Sequence, residues 1–250
     1  MALREEFEKQ GIWLFRYRSY LPIIVLVIGL LVYLRSILNP DYSILNDEFS
    51  RDYYLYFCLA VSLLGLAIRV YTVGHTPANT SGRNVKEQVA DTLNTTGIYS
   101  TVRHPLYLGN FLMWFGITLL TGNLWFIVSI CLMYWIYYER IMYAEESYLR
   151  NKFGEVYINW SSKKPAFIPS FKNFVKPSVS FSWKKVLKKE KNGFAETFLV
   201  FCLFDTVGKY ITGSTDYNYI LIGATIASAV LYIILKTLKN HTTVLDEEGR

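Results

Sequence analysis

Long apolar runs, rather than a regular alternation of apolar and polar positions, dominate this chain of 250 residues. Most of the runs approach the roughly 20 residues that a helix needs to cross the hydrocarbon core of a bilayer. They cover residues 20–38, 53–73, 106–120, 124–144, 194–211 and 219–235. The pattern predicts an all-α fold, namely a polytopic integral membrane protein with about six transmembrane helices.

The third and fourth runs are predicted to form a tight helical hairpin. Run 106–120 is short for a span, and only Thr121-Gly122-Asn123 separates it from run 124–144. A helix that turns back this soon need not clear the far headgroups. The hairpin ends immediately before an acidic pair, Glu145 and Glu146.

Basic residues are distributed unevenly between the predicted loops. Most of the 26 Lys and Arg residues fall on one side of the spans, whereas the opposite loops contain only Arg51. Loops rich in Lys and Arg tend to remain in the cytoplasm. We therefore expect both termini and the polar motifs described below to face the cytoplasm.

Much of the net charge of +6 comes from residues 172–191. This segment is tethered between predicted spans, so we interpret it as a solvated basic face that attracts anionic lipids. Nucleic acid is not an expected partner. The chain shows no internal repeat and no dividing linker, which predicts a single membrane domain over residues 1–250.

Metal ligands are not expected in this sequence. The 3 cysteines all fall within apolar runs, where buried packing is the ordinary role of a free thiol. The 3 histidines, His75, His104 and His241, offer no paired ligand spacing.

Arg103-His104-Pro105 lies directly before the third run and is the first candidate for chemistry. Proline is well tolerated at the first position of a helix, and the preceding residues can leave free N–H groups at the cytoplasmic mouth. Such donors suit an anionic group. The alternative is an arginine that reaches a lipid phosphate beside an ordinary His-Pro turn.

Glu145 and Glu146 are the second candidate, because acidic residues near the C-terminal end of a membrane helix oppose the helix dipole. A bound cation or a ligand rich in hydroxyl groups, such as a sulfonium and a ribose, would offset that cost. Alternatively, the pair marks only where the helix leaves the membrane. The residues that follow predict an amphipathic helix that breaks at Gly154 and ends before Pro165.

Three motifs in order resemble the isoprenylcysteine carboxyl methyltransferase and phospholipid methyltransferase superfamily. They are Gly97-Ile98-Tyr99-Ser100-x-x-Arg103-His104-Pro105-x-Tyr107-x-Gly109, Glu145-Glu146-x-x-Leu149-x-x-x-Phe153-Gly154-x-x-Tyr157 and Lys164-Pro165-x-x-Ile168-Pro169. The resemblance covers residues 84–169 as a catalytic core, and the helix pair at 194–236 lies beyond it. The chain departs from the family pattern at Asp91, where histidine is common, and at Ile141, which stands where the family has an arginine.

The resemblance implies a helical membrane enzyme that uses S-adenosylmethionine without a Rossmann fold. By position in the motifs, the cofactor-binding residues would be Asn84, Asp91, Thr92, Leu93, Asn94, Tyr99, His104, Pro105, Leu106, Tyr107, Glu145 and Glu146.

The predicted reaction is methyl transfer to an anionic oxygen of a membrane-embedded lipid or lipidated substrate. Such a nucleophile needs desolvation and orientation more than a general base. Arg103, Arg83 and Arg140 are the candidates that orient it, because a guanidinium donates two parallel hydrogen bonds to a carboxylate or phosphate. Two other functions remain open, a sterol-reductase-like membrane oxidoreductase that uses NADPH and a non-catalytic lipid-binding protein.

Overall fold

A computed structural model describes residues 2–39, 41, 44, 48–80 and 89–250, and the regular structure of this part is helical. The all-α prediction is therefore confirmed for it. The α-helices are α1 (Leu3–Tyr17), α2 (Leu21–Leu38), α3 (Glu48–Gly74), α4 (Pro105–Leu120), α5 (Leu124–Phe153), α6 (Glu155–Ser161), α7 (Trp183–Ile211) and α8 (Tyr219–His241).

Four of these helices are long and apolar enough to cross a membrane, namely α2, α3 from Asp52 onward, α5 and α8. Helix α4 is apolar but has only 16 residues. The multi-pass membrane character is thus confirmed, and the count of six spans stays a prediction. On α2, the side chains of Ile24, Val27 and Leu31 are exposed, as expected for a surface that faces lipid.

The structure confirms the helical hairpin formed by α4 and α5. Residues 121–123 make the turn, in which Gly122 has a φ of 61°, a conformation that favours glycine. Asn123 then caps α5, because its side chain accepts a hydrogen bond from the Phe126 N–H at 2.9 Å. Helix α5 continues past the acidic pair and stops at Gly154, which has a φ of 53°, so the predicted break is also confirmed.

Helices α3 and α4 pack with their backbones in close contact. A Cβ atom on Gly65 would lie 2.5 Å from the Gly109 carbonyl oxygen, and one on Gly116 would lie 2.2 Å from Oγ of Ser62. Burial of apolar side chains contributes little to helix association in lipid, so membrane helices associate through close packing, which small residues allow. This contact holds the Arg-His-Pro turn at the start of α4 beside the end of α3.

Helix α7 begins at Trp183 and runs without interruption to Ile211, so it is longer than the run at 194–211 that the sequence indicated. A buried ion pair fixes it to the core. Arg69 of α3 donates to both carboxylate oxygens of Glu190 at 2.8 and 2.7 Å, and to Oδ1 of Asn110 on α4 at 2.6 Å. Phe201 and Phe204, both fully buried, continue the contact along α7.

Helix α1 is an element that the apolar runs did not predict. It packs against α5, where a Cβ atom on Gly11 would lie 2.1 Å from the carbonyl oxygen of Arg140. The guanidinium of Arg140 lies 3.5 Å from the ring centre of Phe7, a cation–π contact between the two helices.

Candidate functional site

A polar cavity of about 240 Å³ lies between the end of α3 and the loop that precedes α4. Four of the predicted cofactor-binding residues line it, namely Thr92, Leu93, Asn94 and Tyr99. No motif indicated the remaining lining residues, which are His75, Pro77, Thr95, Thr96 and Ser178. His75 and Ser178 carry no motif, and only the folded chain brings them to the cavity.

The segment that follows α6 lies along the Arg-His-Pro turn. The backbone N–H of Arg103 donates to the carbonyl of Pro165 at 2.9 Å, and that of His104 donates to Ala166 at 3.2 Å. The expectation of free N–H groups here is therefore wrong for these two residues, because the proline-rich segment after α6 takes both. These two N–H groups are therefore not available to an anion at this turn.

The same segment continues beside the residues that precede the turn. Gly97 N–H donates to the Val175 carbonyl at 2.9 Å, within an isolated antiparallel bridge. Val175 N–H in turn donates to Oγ of buried Ser100 at 2.9 Å, and Ser170 N–H donates to the Thr101 carbonyl at 3.0 Å. These contacts fix the loop that carries Tyr99 in one position.

Arg103, His104 and Glu146 form a compact charged cluster. Oε1 of Glu146 lies 2.8 Å from Nε2 of His104 and 2.9 Å from Nε of Arg103. Nη1 of Arg103 also donates to the carbonyls of Ser161 at 2.9 Å and Lys164 at 3.2 Å. The cluster therefore ties α5, the start of α4 and the end of α6 together.

Glu145 faces a different environment from its neighbour. Its Oε2 lies 3.7 Å from Nδ1 of His104, and this buried oxygen accepts no hydrogen bond from any residue that the structure describes. The phenol of Tyr107 hydrogen-bonds to the Glu145 carboxylate, and its ring stacks on His104 with 5.6 Å between the ring centres. A buried carboxylate oxygen without a donor is costly, so it indicates a place where a ligand supplies one.

Tyr99 connects the cavity with this carboxylate. Burial raises the pKa of the Tyr99 phenol, and the negative charge of Glu145 raises it further, whereas a hydrogen bond with Asn94 acts in the opposite direction. Tyr99 is therefore a neutral hydrogen-bonding group near neutral pH. Tyr99 lines the cavity, and the charge of Glu145 acts on its phenol, so the cavity and the carboxylate are linked electrostatically.

Tyr157 of α6 packs against the charged cluster. The side chain is fully buried, and burial raises the pKa of its phenol, with the charge of Glu146 as the next cause. The motif position of Tyr157 is thus explained by packing against the cluster. It keeps Glu146 away from water without adding a charge.

An aromatic cluster adjoins the site on the side of the apolar helices. The hydroxyl of Tyr134 donates to the Tyr107 carbonyl at 2.7 Å, and the Tyr134 and Tyr138 rings stack 4.1 Å apart. Phe111 of α4 meets Phe167, with 5.7 Å between the ring centres. The cluster gives the site an apolar flank.

Several predicted site residues lie apart from this assembly. Asp91 is exposed, and its N–H donates to the Asn79 carbonyl at 3.3 Å. Arg140 pairs with Glu139 at 2.8 Å on another face of α5. Pro105 is buried and Leu106 half-buried at the start of α4, and neither lines the cavity. Arg83 and Asn84 lie outside the described residues, so their roles stay predictions.

Comparison with known proteins matches the central part of the chain to one family. Residues 56–156 match the family described as phospholipid methyltransferase. The protein-S-isoprenylcysteine O-methyltransferase of Schizosaccharomyces pombe is 38% identical over 77 residues, which are 31% of this chain and 33% of that protein. That of Saccharomyces cerevisiae is 29% identical over 137 residues, or 54% and 56% of the two chains.

A relative with a different name is also similar. The nickel-cobalt-cadmium resistance protein NccN of Alcaligenes xylosoxydans xylosoxydans is 31% identical over 118 residues, which are 46% of this chain and 52% of that protein. The chain spans between about a third and just over half of the length of these three relatives. No solved structure matches it. The comparisons confirm the family resemblance indicated by the motifs.

Proposed function

We propose that the protein transfers a methyl group from S-adenosylmethionine to a membrane acceptor, because its central part matches the phospholipid methyltransferase family and is similar to an isoprenylcysteine O-methyltransferase. The acceptor is an anionic oxygen, a carboxylate or a phosphate, on a lipid or a lipidated molecule. The reaction takes place at the cytoplasmic interface, as the distribution of Lys and Arg indicates.

The observation that carries this proposal is the buried Oε2 of Glu145, which has no hydrogen-bond donor among the described residues and belongs to a carboxylate whose charge acts on Tyr99 of the cavity wall. A carboxylate in this position attracts a sulfonium and accepts hydrogen bonds from an ammonium or ribose hydroxyl group. Asn94 and Tyr99 add polar groups that can bind a nucleoside. The residues present therefore fit the methyl donor.

When bound, the donor supplies its methyl group to the acceptor oxygen, and the electron pair of the broken C–S bond returns to sulfur. The protein's own task is to orient the two reactants and exclude water. Neutral Tyr99 and the aromatic side chains of Tyr107 and Phe111 provide a dry surface for this purpose. An acceptor that is already anionic needs no general base.

Arg103 is the cation best placed to orient the acceptor. Its Nε and Nη1 atoms are engaged with Glu146 and the carbonyls after α6, which holds the guanidinium in place and leaves Nη2 to donate to an acceptor. Rigid positioning of a planar cation favours recognition of a carboxylate or phosphate. The aromatic cluster beside it offers contact for the apolar part of the acceptor.

Calorimetric titration of the purified protein in detergent tests which cofactor it binds. We expect S-adenosylhomocysteine, the demethylated product, to bind and NADPH not to bind. The reverse result would refute the proposal and favour the reductase. Binding of the product without any methyl transfer to membrane lipids would instead indicate a non-catalytic role.

A further inference from the structure

A buried lysine hydrogen-bonds to the loop that contains His75 and Pro77, two residues of the cavity wall. Nζ of Lys185 donates to the carbonyl of Thr76 at 2.6 Å, to its Oγ1 at 3.0 Å and to the carbonyl of Pro77 at 2.9 Å. Lys185 is only 5% exposed. An ammonium has three N–H groups, so these three acceptors satisfy all of its hydrogen-bond donors.

An arginine from the segment that follows α8 binds the same loop. Nη1 of Arg250 donates to the carbonyls of Gly74 at 3.3 Å and Thr76 at 3.2 Å, and Nη2 donates to Ser180. The N–H of Ala78 donates to the carbonyl of Gly249 at 3.0 Å. Residues 242–250 thus return from the end of α8 to the loop that forms the cavity wall.

Acidic residues of the same segment balance the positive charges. Glu247 accepts a hydrogen bond from Ser182, the residue that caps α7, and Asp246 pairs with Lys188. Two cations, Lys185 and Arg250, share the Thr76 carbonyl, an arrangement that is favourable only with acidic groups near them. The segment therefore fits this place by charge as well as by hydrogen bonding.

We propose that Lys185 and Arg250 are positioning residues, which hold the backbone at 74–77 so that His75 and Pro77 form the wall of the donor cavity. Both residues lie outside the part of the chain that matches the family, residues 56–156. The helix pair α7 and α8 thus takes part in shaping the site. The inference rests on the proposed function in so far as the cavity binds the methyl donor.

The first test needs no ligand. Hydrogen–deuterium exchange at residues 74–80 of the full-length protein should become faster in both Lys185→Gln and Arg250→Gln, because the Ala78 N–H and its neighbours lose their support. Lys184→Gln is the matched control, since Lys184 is exposed and adjacent. Exchange equal to that of the wild type in both variants would overturn the inference, whatever the cavity binds.

The second test measures the affinity for S-adenosylhomocysteine by calorimetry. We expect Lys185→Gln and Arg250→Gln each to weaken binding about tenfold, or about 1.4 kcal/mol, and Lys184→Gln to leave it unchanged. Wild-type affinity in both folded variants would overturn the inference but leave the proposed function intact. A wild-type protein that does not bind the compound would refute the proposed function, and exchange at residues 74–80 would still report on the wall.

A pH profile separates positioning from a general loss of stability. Burial lowers the pKa of Lys185 to about 8, with further lowering by Arg250 and Lys189 and an opposing effect of Glu247. The ammonium with its three donors therefore prevails below this pH, and affinity should fall as the pH rises above about 8. Lys185→Gln should lack this fall, and a variant that retains it would contradict the assignment.

Discussion

Glu145 and Glu146 are adjacent carboxylates that should respond differently to the same substitution. Glu146→Gln should lower the stability of the protein, because Oε1 of Glu146 accepts from His104 at 2.8 Å and lies 2.9 Å from Nε of Arg103. Glu145→Gln should instead weaken binding of the methyl donor, because Oε2 of Glu145 accepts no hydrogen bond from the described residues and is left for the ligand.

The size of each effect follows from the contacts. Hydrogen bonds to charged groups contribute about 1.5–3 kcal/mol each. The Glu146 side chain is 19% exposed and glutamine keeps one acceptor, so the loss for Glu146→Gln should be about 2 kcal/mol. The side chain of Glu145 is 33% exposed, and its substitution should cost less than about 0.5 kcal/mol in stability while weakening donor binding by about 1–3 kcal/mol.

Thermal unfolding and calorimetric titration of both variants in one detergent give the two quantities. The expected result is a crossed pattern, in which each variant changes mainly one of them. Equal losses of stability in the two variants, with equal donor affinity, would refute the division of roles. If only Glu146→Gln reduced the affinity for the methyl donor, Glu146 rather than Glu145 would be the carboxylate that binds it.

Three further predictions concern the acceptor, the helix pair and the topology. Arg103→Lys should lower the turnover strongly and the methyl-donor affinity little, because one ammonium cannot both keep the contacts with Glu146 and the carbonyls after α6 and donate to an acceptor, as the several N–H groups of a guanidinium can. Glu190→Gln should destabilise the protein by about 3 kcal/mol, since it leaves the buried cation of Arg69 without its anion. A cysteine at Ser214 should react with an impermeant reagent from outside intact cells, and one at Ser170 only after permeabilisation.

Each of these has a control and a contradicting result. Full turnover in Arg103→Lys would exclude a role in orienting the acceptor. Glu196→Gln on the exposed side of α7 is the matched control for Glu190, and equal stability of the two variants would contradict the importance of the buried pair. Labelling with the sides exchanged would place the site on the other face of the membrane; the three native cysteines must be replaced first.

The sequence predicts the most apolar helices well and the charged ones poorly. Length and hydropathy suffice for α2 and α8, whose composition differs sharply from their surroundings. Helix α1 was missed because its charged residues interrupt any apolar run. The start of α7 was missed because it is rich in lysine, although Ser182 caps it by accepting from the Lys185 N–H at 3.1 Å.

The site was predictable only as far as its motifs extend. Tyr99 and Asn94 were found through the family pattern, and both line the cavity. The sequence could not distinguish Glu145 from Glu146, because the rotation of α5 decides which carboxylate meets Arg103. His75 and Ser178 reach the cavity through tertiary contacts with no local signal.

Transfer of an isotopically labelled methyl group tests the central claim most directly. Purified wild-type protein and Glu145→Gln are incubated with membrane lipid extract and S-adenosylmethionine that carries a trideuterated methyl group, and the lipids are then analysed by mass spectrometry. The account predicts a lipid or lipidated species that gains one trideuteromethyl group with the wild type and much less of it with the variant. Absence of label from every acceptor fraction, in a protein that binds S-adenosylhomocysteine, would contradict methyl transfer as its function.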